Sequence, residues 1–268
     1  MIPAQFEHRR AGSVGEAIEL LGSDPDAKLL AGGHSLIPIL RLRFARPSLL
    51  VDIGRLEELR YVREEADGIA IGALTRHADL ALDAVLAERC APLAKAASLV
   101  GDPQVRHRGT IGGSVAHGDP ASDVSTVLAA LDADFVARGP DGERTIPAAE
   151  FFAGMFETAL GPQDVLTEIR VPAASGTYLK HTRRSHDWAT VGVAAAHVDG
   201  RVTVGLTSMG ATPLRARGVE DALAGGASAA EAAEHAAEGT SPPSDVSGSS
   251  EYRAHLARVL VRRALEAL

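Results

Sequence analysis

Two of the Gly-Gly pairs in this sequence, which lie about 80 residues apart, constrain its fold more than any other feature. Gly32-Gly33 follows the apolar stretch "AKLLA", and Gly112-Gly113 follows "GTI"; each pair precedes a predicted helix. Glycine reaches positive φ and lacks a Cβ, so each pair lets the backbone turn tightly or approach another group closely. We therefore expect two similar backbone openings, one near the N-terminus and one mid-chain.

The residues around the glycines suggest what these openings could bind. Successive backbone N–H groups in a turn form a concave anion site, and helix N-termini add their dipoles. His34 and Ser35 follow the first pair, and Thr110 and Ser114 flank the second, so both sites offer side-chain donors. The sequence contains neither G-x-G-x-x-G nor G-x-x-x-x-G-K-[ST], so the Rossmann loop and the P-loop are unsupported. We predict that the two sites bind one diphosphate together; two ordinary tight turns remain the alternative.

Charge and cysteine content exclude several classes of function. The 268 residues include 27 Lys and Arg against 35 Asp and Glu, a net charge of −8 that argues against nucleic acid as a partner. Cys90 is the single cysteine, so a disulfide framework, an iron–sulfur cluster and a cysteine zinc site are excluded, and we expect an inert buried thiol. The start "MIPAQFEHRRAGS" has no apolar signal core, and no apolar run approaches the ~20 residues that cross a bilayer. We expect a cytoplasmic protein without a transmembrane segment.

Local patterns predict a mixed α/β region in the first two thirds of the chain. Ser13 and Glu16 fit a capping box before an apolar face with helical spacing. Pro-Asp-Gly in "DFVARGPDGERTIP" is typical of a hairpin turn. The predicted helices span 13–22, 75–88, 91–100 and 122–131, and the predicted strands span 27–31, 48–53 and 68–73.

The pattern changes after Pro172, where three predicted strands follow one another. They are "TYLKHTRR", "ATVGVAAAHV" and "RVTVGLTSMG", and Asp199-Gly200 between the last two is a strong hairpin signal. A closing helix places Tyr252, Leu256, Val259 and Leu260 on one face and leaves Arg253, Arg258, Arg262 and Arg263 on a solvated or subunit-facing edge. We predict a domain of residues 1–173, with subdomains of about 1–55 and 56–173, and a second domain of residues 174–268.

Two longer stretches carry a resemblance to a known family. "AGGHSLIPILRLRFARPSLLVDI" (31–53) and "GTIGGSVAHGDPASDVSTVLAALDA" (109–133) resemble the FAD-binding medium subunit of molybdenum hydroxylases, the family of carbon monoxide dehydrogenase medium chains and xanthine dehydrogenase flavin domains. "SHDWATVGVAAA" (185–196) and "EYRAHLARVLVRRAL" (251–265) are similar to the same family in the same order. The resemblance implies an α+β fold: a two-subdomain FAD-binding domain of the non-Rossmann type, then a C-terminal α+β domain with a three-stranded antiparallel sheet.

The resemblance also implies roles for individual residues. Position 34 is His where Gln, Thr or Asn is frequent, position 114 is Ser where Asn is also common, and position 190 is Thr where some relatives carry a longer polar residue. His117 and Asp119 lie near the cofactor or are ordinary polar residues near a helix. By resemblance, Leu30, Ala31, Gly32, Gly33, His34, Ser35 and Leu36 hold the FAD diphosphate from one side, with Leu36 towards the isoalloxazine; Thr110, Ile111, Gly112, Gly113 and Ser114 hold it from the other; Asp123 contacts the ribose or adenine; Val165 and Leu166 lie near the adenosine; and Trp188 lies near the flavin ring.

The implied function is electron transfer within a larger enzyme. The family pattern implies FAD in this chain, a molybdopterin cofactor on a large partner subunit and [2Fe-2S] clusters on a small one, assembled as a dimer of heterotrimers. Electrons would leave this FAD for an external acceptor, and neither the acceptor nor the oxidised substrate is indicated by the sequence. Two alternatives remain open: a stand-alone FAD-dependent oxidase or dehydrogenase with its own small organic substrate, and a non-enzymatic nucleotide-binding assembly module. No catalytic or metal-ligating residue is assigned.

Overall fold

The computed structural model describes residues 2–268 and begins with a small parallel sheet. Its central strand lies between two others, and both pair with it in parallel, in the order β1-β3-β2. Ser13 caps the first helix by accepting from the Glu16 amide, as predicted, but the Glu16 carboxylate accepts from Gly12 rather than from Ser13. The elements are β1 (Glu7–Arg10), α1 (Val14–Ser23), β2 (Lys28–Leu30), α2 (Leu36–Leu42) and β3 (Leu49–Asp52).

A five-stranded antiparallel sheet forms the middle of the chain, with its strands in the order 62–65, 68–72, 165–171, 134–139 and 142–147. The predicted Pro-Asp-Gly hairpin is confirmed, because Gly139 pairs with Gly142 across the turn. Apart from a short 3₁₀ turn at Glu57–Leu59, the elements are β4 (Val62–Glu65), β5 (Gly68–Gly72), α3 (His77–Leu82), α4 (Ala84–Arg89), α5 (Ala91–Ser98), α6 (Pro103–Arg106), α7 (Ile111–His117), α8 (Asp123–Ala130), β6 (Asp134–Gly139), β7 (Gly142–Pro147), α9 (Ala148–Phe151), β8 (Phe152–Gly154), β9 (Glu157–Thr158) and β10 (Val165–Val171).

The C-terminal part is a four-stranded antiparallel sheet covered by helices, so the predicted three-stranded sheet is wrong by one strand. The fourth strand has two residues, pairs with Gly205 and Leu206, and is too short to show an alternating pattern. The Asp199-Gly200 hairpin is confirmed by the pairing of Val198 with Arg201. The elements are β11 (Ser175–His181), β12 (Val191–Val198), β13 (Arg201–Thr207), β14 (Leu214–Arg215), α10 (Arg217–Ala224), α11 (Ala229–Ala233), a 3₁₀ turn (Glu234–Ala237) and α12 (Ser250–Leu265).

Two predictions for the helices need correction. The helix predicted over 75–88 is two helices, because the Asp83 carboxylate accepts from the Leu86 amide and starts a new helix there. Tyr252 of α12 is exposed, whereas Arg253 is buried. Both oxygens of Asp245 accept from the Arg253 guanidinium at 2.8 Å, and the Thr190 carbonyl accepts a further bond, so the buried charge is paired. The apolar face of α12 is formed by Leu256, Ala257, Leu260, Val261 and Ala264.

The middle and C-terminal sheets share one core. Tyr178 and Ala194 of the C-terminal sheet belong to the same buried cluster as Phe135 and Ile169 of the middle sheet. Cys90 lies in this cluster, where burial raises its thiol pKa to about 12, as an inert thiol requires. Within residues 2–268, no helix combines the length and apolar character that a bilayer crossing requires, and no group of three or more His, Cys, Asp or Glu side chains could hold a metal ion.

Candidate functional site

A cavity of about 790 Å³ lies where the N-terminal sheet, the middle region and the C-terminal sheet meet. Residues 31–36, here called the first loop, and residues 109–114, the second loop, both face it. Two stretches distant in sequence therefore share one cavity, as the sequence predicts. Of the predicted residues, its wall contains Ala31, Gly32, Gly33, His34, Ser35, Leu36, Thr110, Gly112, Gly113, Ser114, Asp123, Leu166 and Trp188.

Three predicted residues lie behind this wall rather than in it. Ile111 and Val165 are fully buried in the middle and N-terminal cores respectively. Leu30 ends β2 and places its side chain beside Gly33. Their apolar character therefore serves packing that supports the cavity. His117 and Asp119 do line it.

The first loop presents a row of backbone donors to the cavity. Within residues 2–268, the amides of residues 32–36 have no hydrogen-bond acceptor in the protein. Gly33 has φ of +79°, and its carbonyl accepts from Ile37 as α2 begins. Five consecutive unpaired N–H groups in a turn form a site suited to a multiply charged anion.

The second loop differs, because its amides already have protein acceptors. Ile111 donates to the Thr75 carbonyl at 3.0 Å and Gly112 donates to the Ala73 carbonyl at 2.9 Å. Gly113 donates to the Thr110 hydroxyl, which caps α7. The second Gly-Gly pair thus lies inside the first turn of α7, not in a loop before a helix as predicted. This loop offers the cavity the Ser114 hydroxyl rather than free amides.

The glycines hold these elements close together. A Cβ on Gly32 would lie inside contact distance of the Arg108 carbonyl oxygen and 2.9 Å from the Gly109 Cα. A Cβ on Gly112 would lie 2.5 Å from the Ala73 Cβ. Gly32 therefore allows the first loop to touch the start of the second, and Gly112 allows α7 to pack on the segment after β5. The close approach that the glycines permit is between backbone segments.

His77 supports the second loop and was not predicted from the sequence. Its ring is 1% exposed, and Nε2 lies 2.9 Å from the Ser114 Oγ. Burial, together with the smaller effects of Arg106 and His34, lowers the pKa of His77 to about 4, so the ring is neutral at pH 7. The sequence gives only a weak signal for this role of His77, because "TRHADL" indicates no more than the start of a helix with polar residues.

A buried ion pair, Lys180 with Asp123, forms part of the cavity wall. Lys180 donates to Asp123 Oδ2 at 2.8 Å and to the Leu99 carbonyl at 3.0 Å, and Tyr178 donates to Asp123 Oδ1 at 2.6 Å. The side chains of Asp123 and Lys180 are 4% and 6% exposed. Burial raises the pKa of Asp123, and the Lys180 ammonium opposes this shift. Sequence analysis missed Lys180, whose partner lies 57 residues away.

Aromatic side chains border the cavity at two places. Trp188 is 61% exposed and belongs to the segment between β11 and β12. His117 and Phe156 pack with ring centroids 5.0 Å apart, and burial lowers the His117 pKa. The cavity thus combines anion donors at the first loop with apolar and aromatic walls, a combination suited to a ligand with a phosphate and flat rings.

Family models match nearly the whole chain. Residues 4–174 match the model described as "FAD binding domain in molybdopterin dehydrogenase", and residues 176–268 match the "CO dehydrogenase flavoprotein C-terminal domain". The chain is 45% identical to the carbon monoxide dehydrogenase medium chain of Hydrogenophaga pseudoflava, over 100% of this chain and 98% of that one. It is 39% identical to the 6-hydroxypseudooxynicotine dehydrogenase complex subunit alpha of Paenarthrobacter nicotinovorans, over 99% and 95%.

A solved structure has the same fold. It is the carbon monoxide dehydrogenase from Hydrogenophaga pseudoflava that lacks the Mo-pyranopterin moiety of the molybdenum cofactor. The TM-score is 0.95 at 45% sequence identity, and the match covers 100% of this chain and 98% of that chain.

Proposed function

The chain belongs to the family of FAD-binding medium subunits of molybdenum hydroxylases, and from this premise we propose that it is the electron-transfer subunit of a heteromeric enzyme of that class. In this proposal the chain binds FAD, a small partner subunit carries [2Fe-2S] clusters, and a large one carries the molybdopterin cofactor. These three subunits form a heterotrimer, and two heterotrimers assemble into a dimer in the cytoplasm. Residues 1–173 and 174–268 form the two predicted domains.

The row of five unpaired amides in the first loop carries this proposal. A diphosphate needs several donors at once, and the amides of residues 32–36 point to no protein acceptor within residues 2–268. The Ser114 hydroxyl faces the same cavity from the second loop. The cavity volume lies within the range of small-molecule and cofactor sites. The residues present therefore fit the diphosphate of a dinucleotide.

The other walls suit the remainder of the cofactor. Leu36 and Trp188 supply apolar and aromatic surface for a flat ring system. Asp123 lines the cavity near Lys180, and its carboxylate retains lone pairs that could accept a ribose hydroxyl. When bound, FAD supplies the redox chemistry, and the chain's residues hold and orient it.

The first experiment tests binding by the full-length chain. Trp188 is the single tryptophan and borders the cavity, so FAD added to the apoprotein should quench its fluorescence in a saturable way. ADP should compete, because the amide row recognises the diphosphate. A chain that takes up no FAD, in isolation or with its partner subunits, would overturn the proposal.

The second experiment tests the electron-transfer role. The FAD-loaded chain is mixed anaerobically with the chemically reduced [2Fe-2S] partner subunit, and the flavin absorption band is followed. Rapid bleaching supports the proposal. Reduction by small organic donors without any partner would support a stand-alone flavoenzyme instead, and FAD binding without reduction from either source would support an assembly module.

A further inference from the structure

His77 contacts the first and last residues of the second loop, Gly109 and Ser114, in an arrangement that packing alone does not explain. Its backbone amide donates to the Gly109 carbonyl at 3.1 Å, and its ring Cδ2 would lie 2.9 Å from a Cβ on Gly109. The ring is buried, and Nε2 contacts the Ser114 Oγ at 2.9 Å. Nδ1 is also buried and has no hydrogen-bond partner within residues 2–268.

These contacts select one tautomer of the neutral ring. If Nδ1 carried the proton, a buried N–H donor would be left without an acceptor, which is among the rarest and costliest defects in a folded protein. If Nε2 carries the proton, it donates to the Ser114 Oγ, and only a lone pair on Nδ1 stays unpaired. The Nε2–H tautomer is therefore the stable one.

The tautomer decides what Ser114 can offer. Because Oγ accepts from His77, the Ser114 hydroxyl proton must point elsewhere, and within residues 2–268 no other side chain or carbonyl forms a hydrogen bond with it. Ser114 lines the same cavity as the first loop. The hydroxyl proton is therefore directed into the cavity.

We propose that His77 is a positioning residue that fixes the Ser114 hydroxyl as a donor to a phosphate oxygen of the bound dinucleotide. This inference rests on the proposed function, since it requires a diphosphate in the cavity. It also explains how the second loop, whose first-turn amides are occupied, still contributes to anion binding. The second loop acts through the Ser114 hydroxyl, and the hydrogen bond from His77 fixes the direction of its proton.

The test is a double-mutant cycle measured as FAD affinity of the full-length chain. Ser114→Ala should weaken FAD binding roughly tenfold, the usual size of one hydrogen bond to a charged group. His77→Leu should weaken it by a similar factor. His77→Gln, whose amide nitrogen reaches the height of Nε2 and can donate, should stay within about threefold of wild type.

The cycle separates positioning from general support. In the Ser114→Ala background, His77→Leu should cause no further loss of affinity, because its effect acts through the hydroxyl. An equal loss with and without Ser114 would overturn the inference. The ³¹P NMR shifts of bound FAD should move in the same direction in both single variants, and unchanged shifts would also overturn it.

Two controls keep the result interpretable. If His77→Leu fails to fold, His77→Asn replaces it, because the shorter amide does not reach Ser114 and should weaken binding to the same extent. A wild-type chain that binds no FAD, either alone or with its partner subunits, would refute the proposed function. A wild-type chain that binds FAD, with His77 and Ser114 acting independently, would refute only this inference.

Discussion

The two glycine loops look alike in sequence but use their backbones in opposite ways. The first loop leaves five amides without protein acceptors, whereas the first-turn amides of the second loop donate to Thr75, Ala73 and Thr110. The first loop can therefore donate backbone hydrogen bonds to a ligand, whereas the first-turn amides of the second loop are already used within the protein. The difference shows that both Gly-Gly pairs of the site permit close packing, and that the local hydrogen bonds decide whether any backbone donor is left for a ligand.

The largest expected effect concerns the buried Lys180–Asp123 pair in the cavity wall. Lys180→Met should lower the free energy of unfolding by about 3–5 kcal/mol, because it leaves Asp123 as an uncompensated buried charge. Urea denaturation of the full chain measures this. Lys28→Met is the matched control, since Lys28 also borders the cavity but is exposed, and it should change stability by less than about 0.5 kcal/mol. A Lys180→Met variant with the wild-type urea midpoint would show that the Lys180–Asp123 ion pair does not stabilise the fold.

The next effect concerns the seam between the loops. Gly32→Ala places a Cβ against the Arg108 carbonyl, so the first loop must shift and its amides lose their alignment. Roughly a hundredfold loss of FAD affinity is expected, because several hydrogen bonds from the loop amides to a charged group are weakened at once. Titration of Trp188 fluorescence measures it. Gly15→Ala in α1, where only the Ser13 Oγ lies within 4 Å of the new Cβ, should leave affinity unchanged; unchanged affinity for Gly32→Ala would break the comparison.

A pH effect follows from the burial of His77. The pKa of His77 is about 4 in the folded chain and 6.5 in the unfolded chain. Between these pH values the unfolded state binds a proton at His77 and the folded state does not, so protonation favours unfolding. Stability must therefore fall as pH drops from 6.5 towards 4. Between pH 7 and pH 4.5 the wild type should lose about 2 kcal/mol more than His77→Gln. Parallel urea curves at both pH values measure this, and equal losses in the two proteins would contradict it.

The smallest effects concern Ser35 and Thr110, the residues that precede α2 and α7. Thr110 caps α7, so Thr110→Val should lower stability by about 1 kcal/mol. Ser35 precedes α2 without making a side-chain cap bond, so Ser35→Ala should leave stability nearly unchanged. Thermal unfolding of both variants compares them. A greater loss of stability from Ser35→Ala than from Thr110→Val would contradict the conclusion that Thr110 caps its helix and Ser35 does not.

The sequence predicts the parts of the site that are local in the chain. The first Gly-Gly pair, the hairpin at Asp199-Gly200 and the cap at Ser13 depend on neighbouring residues, and each appears where expected. The second Gly-Gly pair does not, because it lies inside the first turn of α7. Contacts across the chain escape such reasoning. His77 meets Ser114 37 residues away, and Lys180 meets Asp123 at 57 residues, so neither role leaves a local pattern.

The residues whose burial the sequence did not indicate have a similar explanation. Ile111 and Val165 stand beside wall residues in sequence, but alternation in a strand and the turn of a helix send their side chains into the core. Arg253 reads as a surface charge on α12, and only the Asp245 carboxylate and the Thr190 carbonyl make its burial acceptable. In both cases the fold supplies the partner that decides the outcome.

The cavity wall draws on residues from Leu21 to Trp188, and the contact of Gly32 with Arg108 closes it only when distant stretches have met. During synthesis on the ribosome, the first loop emerges long before β11 and the segment that carries Trp188. A partly made chain consequently has the amide row but no enclosure around it. Cofactor loading is thus a step that follows translation of at least the first two thirds of the chain.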